Sequence, residues 1–157
     1  MDAESGAFEA QYLYPLDPPE SFRRDVAAGE FGRGDIKVSE MACLGDERLL
    51  VLERGSKTTK IYEVQLADPF GLPAEHLDPA TRPTVEELSA PEGSFPLPVL
   101  DKRLLFDSDE HEEMAADLEG MAILSPTDLL VVSDNDFGVE GARTSFFRLR
   151  FADPVLG

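Results

Sequence analysis

Glu40-Met41-Ala42-Cys43-Leu44, continued by Leu49-Leu50-Val51-Leu52-Glu53, returns later in the chain. The second copy reads Gly120-Met121-Ala122-Ile123-Leu124, then Leu129-Leu130-Val131-Val132-Ser133-Asp134. Met121 falls on Met41 and Leu129 on Leu49 with one constant offset. The likeness resumes at a slightly larger offset, where Ile61-Tyr62-Glu63-Val64-Gln65-Leu66-Ala67-Asp68-Pro69 lies over Phe146-Phe147-Arg148-Leu149-Arg150-Phe151-Ala152-Asp153-Pro154. A repeat of this kind decides the architecture before any single element does.

Within each copy, two short apolar runs flank a polar turn, which is the pattern of a β-hairpin. The first hairpin is expected over Ile36–Leu44 and Arg48–Arg54, turning at Gly45-Asp46-Glu47. The second is expected over Leu118–Leu124 and Asp128–Asp134, turning at Ser125-Pro126-Thr127. Lys60–Leu66 and Thr144–Phe151 alternate apolar and polar residues, so each supplies a third antiparallel strand. A fourth strand is expected within Leu97–Phe106. Two central strands, a third, and a long link to a fourth is the order of a propeller blade. The expectation is therefore an all-β chain of about two four-stranded antiparallel blades of a β-propeller. Two blades do not close a ring, so unpaired edges invite self-association or further blades. The competing architecture is a self-contained antiparallel sandwich of about seven strands.

The remaining stretches are less regular. Gln11–Leu16 reads as a short strand that Pro15 confines to an edge. A short helix is expected near Ser21–Ala28, with Ser21 as cap and Gly29 as stop. Residues 67–98 form a Pro-rich excursion with one helical turn at Thr84–Ser89. Asp109 is expected to cap a short helix over Glu110–Ala116. His76 and His111 both sit in polar, loop-like context and are expected to be exposed.

The 157 residues carry a net charge of −18. Nucleic-acid binding neutralises phosphates with Lys and Arg, so that class is excluded, as are anionic membrane surfaces. No stretch reaches the roughly 18 apolar residues of a membrane span. Met1-Asp2-Ala3-Glu4-Ser5 is acidic and does not read as a secretory signal. The single cysteine, Cys43, forms no intrachain disulfide and is expected in the apolar core.

The acids at the open ends of the hairpins are the candidate site. If the second hairpin turns between Pro126 and Thr127, Glu119 faces Asp134; if the first turns between Asp46 and Glu47, Glu40 faces Glu53. Opposed like charges destabilise a strand pair, so a cation, solvent or the adjacent Arg54 must offset them. In a propeller such ends converge on the axis. Carboxylates and the Asn135 amide suit a hard cation such as Ca²⁺. Ser133-Asp134-Asn135-Asp136-Phe137-Gly138 adds oxygen donors at one strand end, although it lacks the closing Glu of an EF-hand loop. Glu119, Asp134, Asn135, Asp136 and Glu40 are the candidate ligands. No Gly-x-Ser-x-Gly elbow and no Cys/His cluster is present.

Glu119-Gly120-Met121-Ala122 with Leu129–Phe137 resembles the C-terminal part of the phytase-like domain family, the "esterase-like activity of phytase" family. Leu49–Gly55, Lys60-Ile61-Tyr62 and Pro98–Leu105 fit the same pattern. The resemblance divides the chain into a lead over 1–32 and a partial phytase-like domain over 33–157. It implies a β-propeller, usually exported, that hydrolyses phosphate or other esters. It also implies calcium held at the axis, here by Glu119, Asp134 and Asn135, with Glu119 and Glu53 as the candidate catalytic carboxylates, and further blades beyond this chain. The alternative is a non-catalytic propeller segment that serves as a binding module.

Overall fold

Among the described residues seven strands form, and the repeat is visible in their irregularities. The computed structural model describes residues 4–6, 10–67, 70–78, 80–88 and 95–156. Asp68, Pro69 and Ser89, drawn above into the repeat and the helical turn, lie outside them. Strands β1 (Lys37–Gly45) and β2 (Arg48–Arg54) make the first hairpin. Asp46 and Glu47 turn it with φ of 48° and 59°, the double left-handed geometry that matches strand twist in a two-residue loop. Strands β5 (Leu118–Ser125) and β6 (Asp128–Ser133) make the second. The first ladder shifts register between Val38 and Glu40 and again between Cys43 and Gly45. The second shifts between Leu118 and Gly120 and between Ile123 and Ser125. Both bulges of the first hairpin thus recur at the equivalent positions of the second.

Strand β3 (Thr59–Gln65) follows β2, and β4 (Lys102–Asp107) pairs with β3, so sheet 1 runs β1-β2-β3-β4. Strand β7 (Phe146–Arg150) pairs with β6, and sheet 2 runs β5-β6-β7. The all-β class is as expected, in two antiparallel sheets of four and three strands.

By contact the chain divides into two compact units, Met1–Pro15 with Gln65–Asp101, and Leu16–Val64 with Lys102–Gly157. The second contains both sheets and the core. Sheet 1 contributes Leu50, Leu52, Ile61 and Phe106; sheet 2 contributes Leu118, Leu129 and Val131. Burying each such side chain stabilises the fold by roughly 1.5–3 kcal/mol. Ala42 and Leu44 of β1 pack against this core, as do Met121 and Ile123 of β5. Successive strand residues point to opposite faces, so Cys43 points away from the core and is exposed. This corrects the expectation of a buried thiol. The apolar pattern of β1 marks two faces, and only one of them is covered by sheet 2.

The helix α1 is shorter than expected, Arg23–Ala28, ending at Gly29 as anticipated but preceded by Phe22 rather than capped by Ser21. Phe22 is fully buried. Asp25 explains the helix position: its carboxylate accepts the N–H groups of Ser56, Lys57 and Thr58 at 2.8, 2.9 and 2.8 Å. It thereby clamps the β2–β3 turn. Position 55 has to be glycine, because a Cβ there would collide with the Asp25 carboxylate. The helix expected over Glu110–Ala116 is instead a single 3-10 turn, Ser108–Glu110, which Asp107 caps through the Asp109 N–H. Ser108 is drawn inward, where its Oγ accepts the Thr59 N–H at 2.8 Å.

In the other unit, the strand expected at Gln11–Leu16 reduces to one bridge, Tyr12 to Gly71. The Gln11 and Leu13 carbonyls accept the Leu72 and Leu100 N–H groups, each at 2.8 Å. Short 3-10 turns occupy Ala74–Leu77 and Val85–Glu87. The His76 side chain is only 11% exposed, contrary to expectation, because it folds into this unit; His111 is exposed as expected.

Candidate functional site

The open ends of the two hairpins meet through one guanidinium. Arg54 is the last residue of β2, and its side chain is nearly buried. Its Nη1 lies 2.8 Å from Asp117 Oδ1 and donates to the Gly55 carbonyl at 3.0 Å. Its Nε donates to Ser39 Oγ at 2.9 Å, and its Nη2 pairs with Glu119. Glu119 occupies the bulge between Leu118 and Gly120, and Ser39 the matching bulge between Val38 and Glu40. An unpaired bulge residue is free of the ladder, and here both bulge residues reach Arg54.

The bulges also correct the expected pairings. Glu119 does not face Asp134, because the ladder pairs Leu118 with Ser133. Asp134 instead donates its N–H to the Asp117 carbonyl at 2.9 Å. Nor does Glu40 face Glu53: Glu40 pairs with Leu52, and Glu53 with Val38. The Glu40 carboxylate turns back on its own strand, accepting the Met41 N–H at 2.9 Å. In each edge strand the bulge near the turn moves the register by one residue, and the bulge at Ser39 or Glu119 moves it by one more.

Asp134, Asn135 and Asp136 leave β6 in a sharp turn. Asp136, Phe137 and Gly138 follow each other with φ of 44°, 56° and 76°, a costly conformation for the two that carry side chains. Phe137 stands wholly in solvent. Burial raises the Asp117 carboxyl above its ordinary range; Arg54 and Lys37 oppose this, and Asp136 and Asp134 add to it. The structure therefore brings Asp117 and Glu119 to Arg54, with Asp134 and Asp136 near Asp117. Sequence reasoning misses Asp117. Its signal is weak, since it follows an acidic run that reads as a solvated face.

Among the described residues no three His, Cys, Asp or Glu side chains are grouped as a metal site requires. The cation already in place is the Arg54 guanidinium.

Glu53 belongs to a second polar cluster, on the other face of sheet 1, because it alternates with Arg54 along β2. It is fully buried. Its Oε2 accepts the Asp17 N–H at 3.1 Å, and its Oε1 accepts from Lys102. Lys102 also lies 2.7 Å from Asp17 Oδ1, and Lys60 lies 2.9 Å from Asp17 Oδ2. The Tyr62 hydroxyl donates to Asp17, and Lys102 stands 4.0 Å from the centre of the Tyr62 ring. Burial alone would raise the Asp17 carboxyl, but hydrogen bonds from Lys102, Tyr62 and Lys60 hold it well below the usual carboxylate range. Burial and the Asp17 bond push the Tyr62 phenol up. Two acids are matched by two lysines, so this is a compensated buried network. A sequence signal exists: Glu53, Lys60 and Tyr62 interrupt apolar strand runs, while Asp17 and Lys102 lie far off in the chain.

Cavities lie elsewhere. One of 430 Å³ lies between β4 and β7, lined by Phe106, His111, Met114, Phe147, Leu149 and Phe151 among others. One of 260 Å³ lies in the other unit, where Gln11, Tyr12, His76, Asp78 and Glu86 contribute.

The model of the phytase-like family, described as "esterase-like activity of phytase", matches residues 1–137. No curated protein and no solved structure matches the chain.

Proposed function

The chain belongs to the phytase-like family, and on that footing we propose that it works as part of a hydrolase of phosphate or other esters. The family match over most of the chain carries this reading. We read the two sheets as neighbouring blades of a propeller, a reading supported by the bulges that recur at equivalent positions of the two hairpins. The reactive end is then the one where Arg54 meets Glu119 and Asp117.

Ester hydrolysis needs a base that takes a proton from the attacking water and a group that stabilises the charge forming on the ester oxygen. Glu119 is the better base of the two candidate carboxylates. Its side chain is 38% exposed and reachable by water, whereas Glu53 is buried and held by Lys102 and the Asp17 backbone. Arg54 holds Glu119 in place and supplies positive charge beside it. Phosphate and phosphonate esters, p-nitrophenyl carboxylates and phytate form the screening panel. Glu119→Gln, with an unchanged far-UV spectrum, is expected to lower turnover by about 10²–10⁴-fold. Full activity in that variant would remove the assignment.

We further propose that calcium binds at this end. An ion would have to draw the Asp134, Asn135 and Asp136 oxygens together with Glu119, against the Arg54 pair. A calcium titration of thermal unfolding should then raise the melting temperature of the parent and not of Asp134→Ala. Binding at a hundredfold excess over Kd contributes about 2.7 kcal/mol. Flat curves for both proteins would dismiss the ion.

The second reading is a non-catalytic binding module. It is favoured by the apolar outer face of sheet 2, where Leu124 and Phe146 are exposed. No turnover of any ester by the parent, together with binding through that face, would establish it.

A further inference from the structure

The unit made of Met1–Pro15 and Gln65–Asp101 has ten Asp and Glu residues and one base, Arg82. Ten acids against one base leave it at −9, half of the chain's −18. A field of this sign concentrates cations. The 260 Å³ cavity is lined by residues of this unit alone. Asp78 and Glu86 line it, and among the described residues no Lys or Arg does.

The polar groups of the lining are turned one way. Thr81 and Thr84 both contribute to the wall. The Thr81 hydroxyl donates to the Glu75 carbonyl, and the Thr84 hydroxyl donates to the Glu86 carboxylate. A hydroxyl has a single proton to give, so both threonines are left with acceptor oxygens only. The two carboxylates add further acceptors, of which only Asp78 Oδ1 is partly used, by the Ala80 N–H at 2.8 Å. Gln11 and Tyr12, also in the wall, can accept as well as donate.

His76 is a second and independent observation. Its ring lines the cavity and its side chain is only 11% exposed. Nδ1 is buried and has no hydrogen-bond partner among the described residues. Nε2 lies 3.9 Å from Glu75 Oε1, beyond hydrogen-bond reach. Buried polar atoms are nearly always paired, and an exception calls for a missing partner. A small turn of the ring brings Nδ1 to a donor held in the cavity.

We propose that this cavity binds a small organic cation, a protonated primary amine on a short carbon chain. An ammonium group has three donors and no acceptor, which is the complement of this lining. Its charge answers Asp78 and Glu86, and its carbon chain lies against the rings of Tyr12 and His76. A coordinated metal ion is the weaker match, because among the described residues no three His, Cys, Asp or Glu side chains are grouped to ligate one. Nothing in the site depends on ester hydrolysis.

The test titrates the full chain with n-butylammonium chloride at fixed pH and ionic strength and follows the imidazole resonances by NMR. The chain has two histidines. His76 reports on the cavity, and His111, exposed and in the other unit, is the internal control. A saturable shift at His76 and none at His111 is expected, with a Kd on the order of 1 mM for so small a ligand. n-Butanol and butyrate carry the same carbon chain without the positive charge and should give no saturable shift. Calorimetry on Asp78→Asn with Glu86→Gln, which keeps both side-chain shapes, should show binding weakened by about tenfold. A His76 resonance that stays still, moves only in step with His111, or saturates equally with butanol overturns the proposal. So does unchanged affinity in the double variant. The comparison of ammonium with alcohol on the parent decides the matter even where the double variant fails to fold.

Discussion

Replacing Arg54 by Met tests whether one guanidinium latches the two hairpin ends. The side chain is 6% exposed and serves Asp117, Glu119, Ser39 and the Gly55 carbonyl at once. Methionine keeps most of the volume and removes every donor. Two carboxylates are then left facing each other, and two polar groups lose a partner. Breaking a buried ion pair costs about 3–5 kcal/mol. Both acids here are more than a third open to water, so solvent screening lowers that figure. A loss of about 2–4 kcal/mol follows, which for a chain of this size lowers the melting temperature by roughly 5–15 °C. Urea unfolding followed by far-UV circular dichroism measures it, with the slope required to match the parent. Repeating the substitution in Glu119→Gln isolates the pair, and a coupling of about 0.5–3 kcal/mol is expected. A loss under about 0.5 kcal/mol, the range of an ordinary surface change, would show that the contact does not hold the sheets.

Two further outcomes follow from the buried acids. Gly55→Ala should cost about 1–3 kcal/mol by overpacking, because its Cβ would run into an Asp25 carboxylate that three N–H groups hold in place; an unchanged urea midpoint would mean that Asp25 moves freely. Asp17 should make the fold acid-sensitive. Its folded pKa is depressed, so its contribution is fully present above the ordinary value of about 4 and is lost as pH falls through the lower folded value. The stability gap between the parent and Asp17→Asn should therefore be constant above about pH 5 and close toward about pH 2; a gap of the same size at every pH would contradict the ion cluster.

How far the sequence is legible depends on the range of the forces. Strand alternation is local, so both hairpins, the third strands and the repeat can be read from residue order alone. Turn position is also local, and the Asp46-Glu47 turn lies where residue order puts it. A bulge is different. It adds one residue without breaking the apolar pattern, and with two bulges in each hairpin residue order draws the pairs Glu40–Glu53 and Glu119–Asp134 that the ladders do not make. The partners of Glu53 are further still from local reach: Asp17 and Lys102 are 36 and 49 residues away in sequence. Cys43 shows a third limit. Alternation says that Cys43 and Ala42 face opposite ways; it does not say which way the second sheet will come.

The candidate site rests on an exchange of charge between the two copies. Arg54 and Asp134 occupy equivalent places in the repeat, and so do Ser39 and Glu119. Had the first hairpin kept an acid at position 54 and the second a neutral residue at position 119, the strand ends would meet without attraction. Instead the base of the first copy meets the bulge acid of the second. The repeat supplies the same backbone twice, with a bulge that frees one side chain at each open end. Divergence at the freed position 119 then joins the copies by an ion pair with Arg54, which stays in the ladder opposite Lys37. The same geometry places Asp134 and Asp136 near Asp117, where their charge adds to the effect of its burial. It concentrates negative charge at one end of the hairpins, around a single fixed guanidinium. A function assigned to this end has to use that field, either through Glu119 as a held base or by bringing a cation to the acids that Arg54 does not reach.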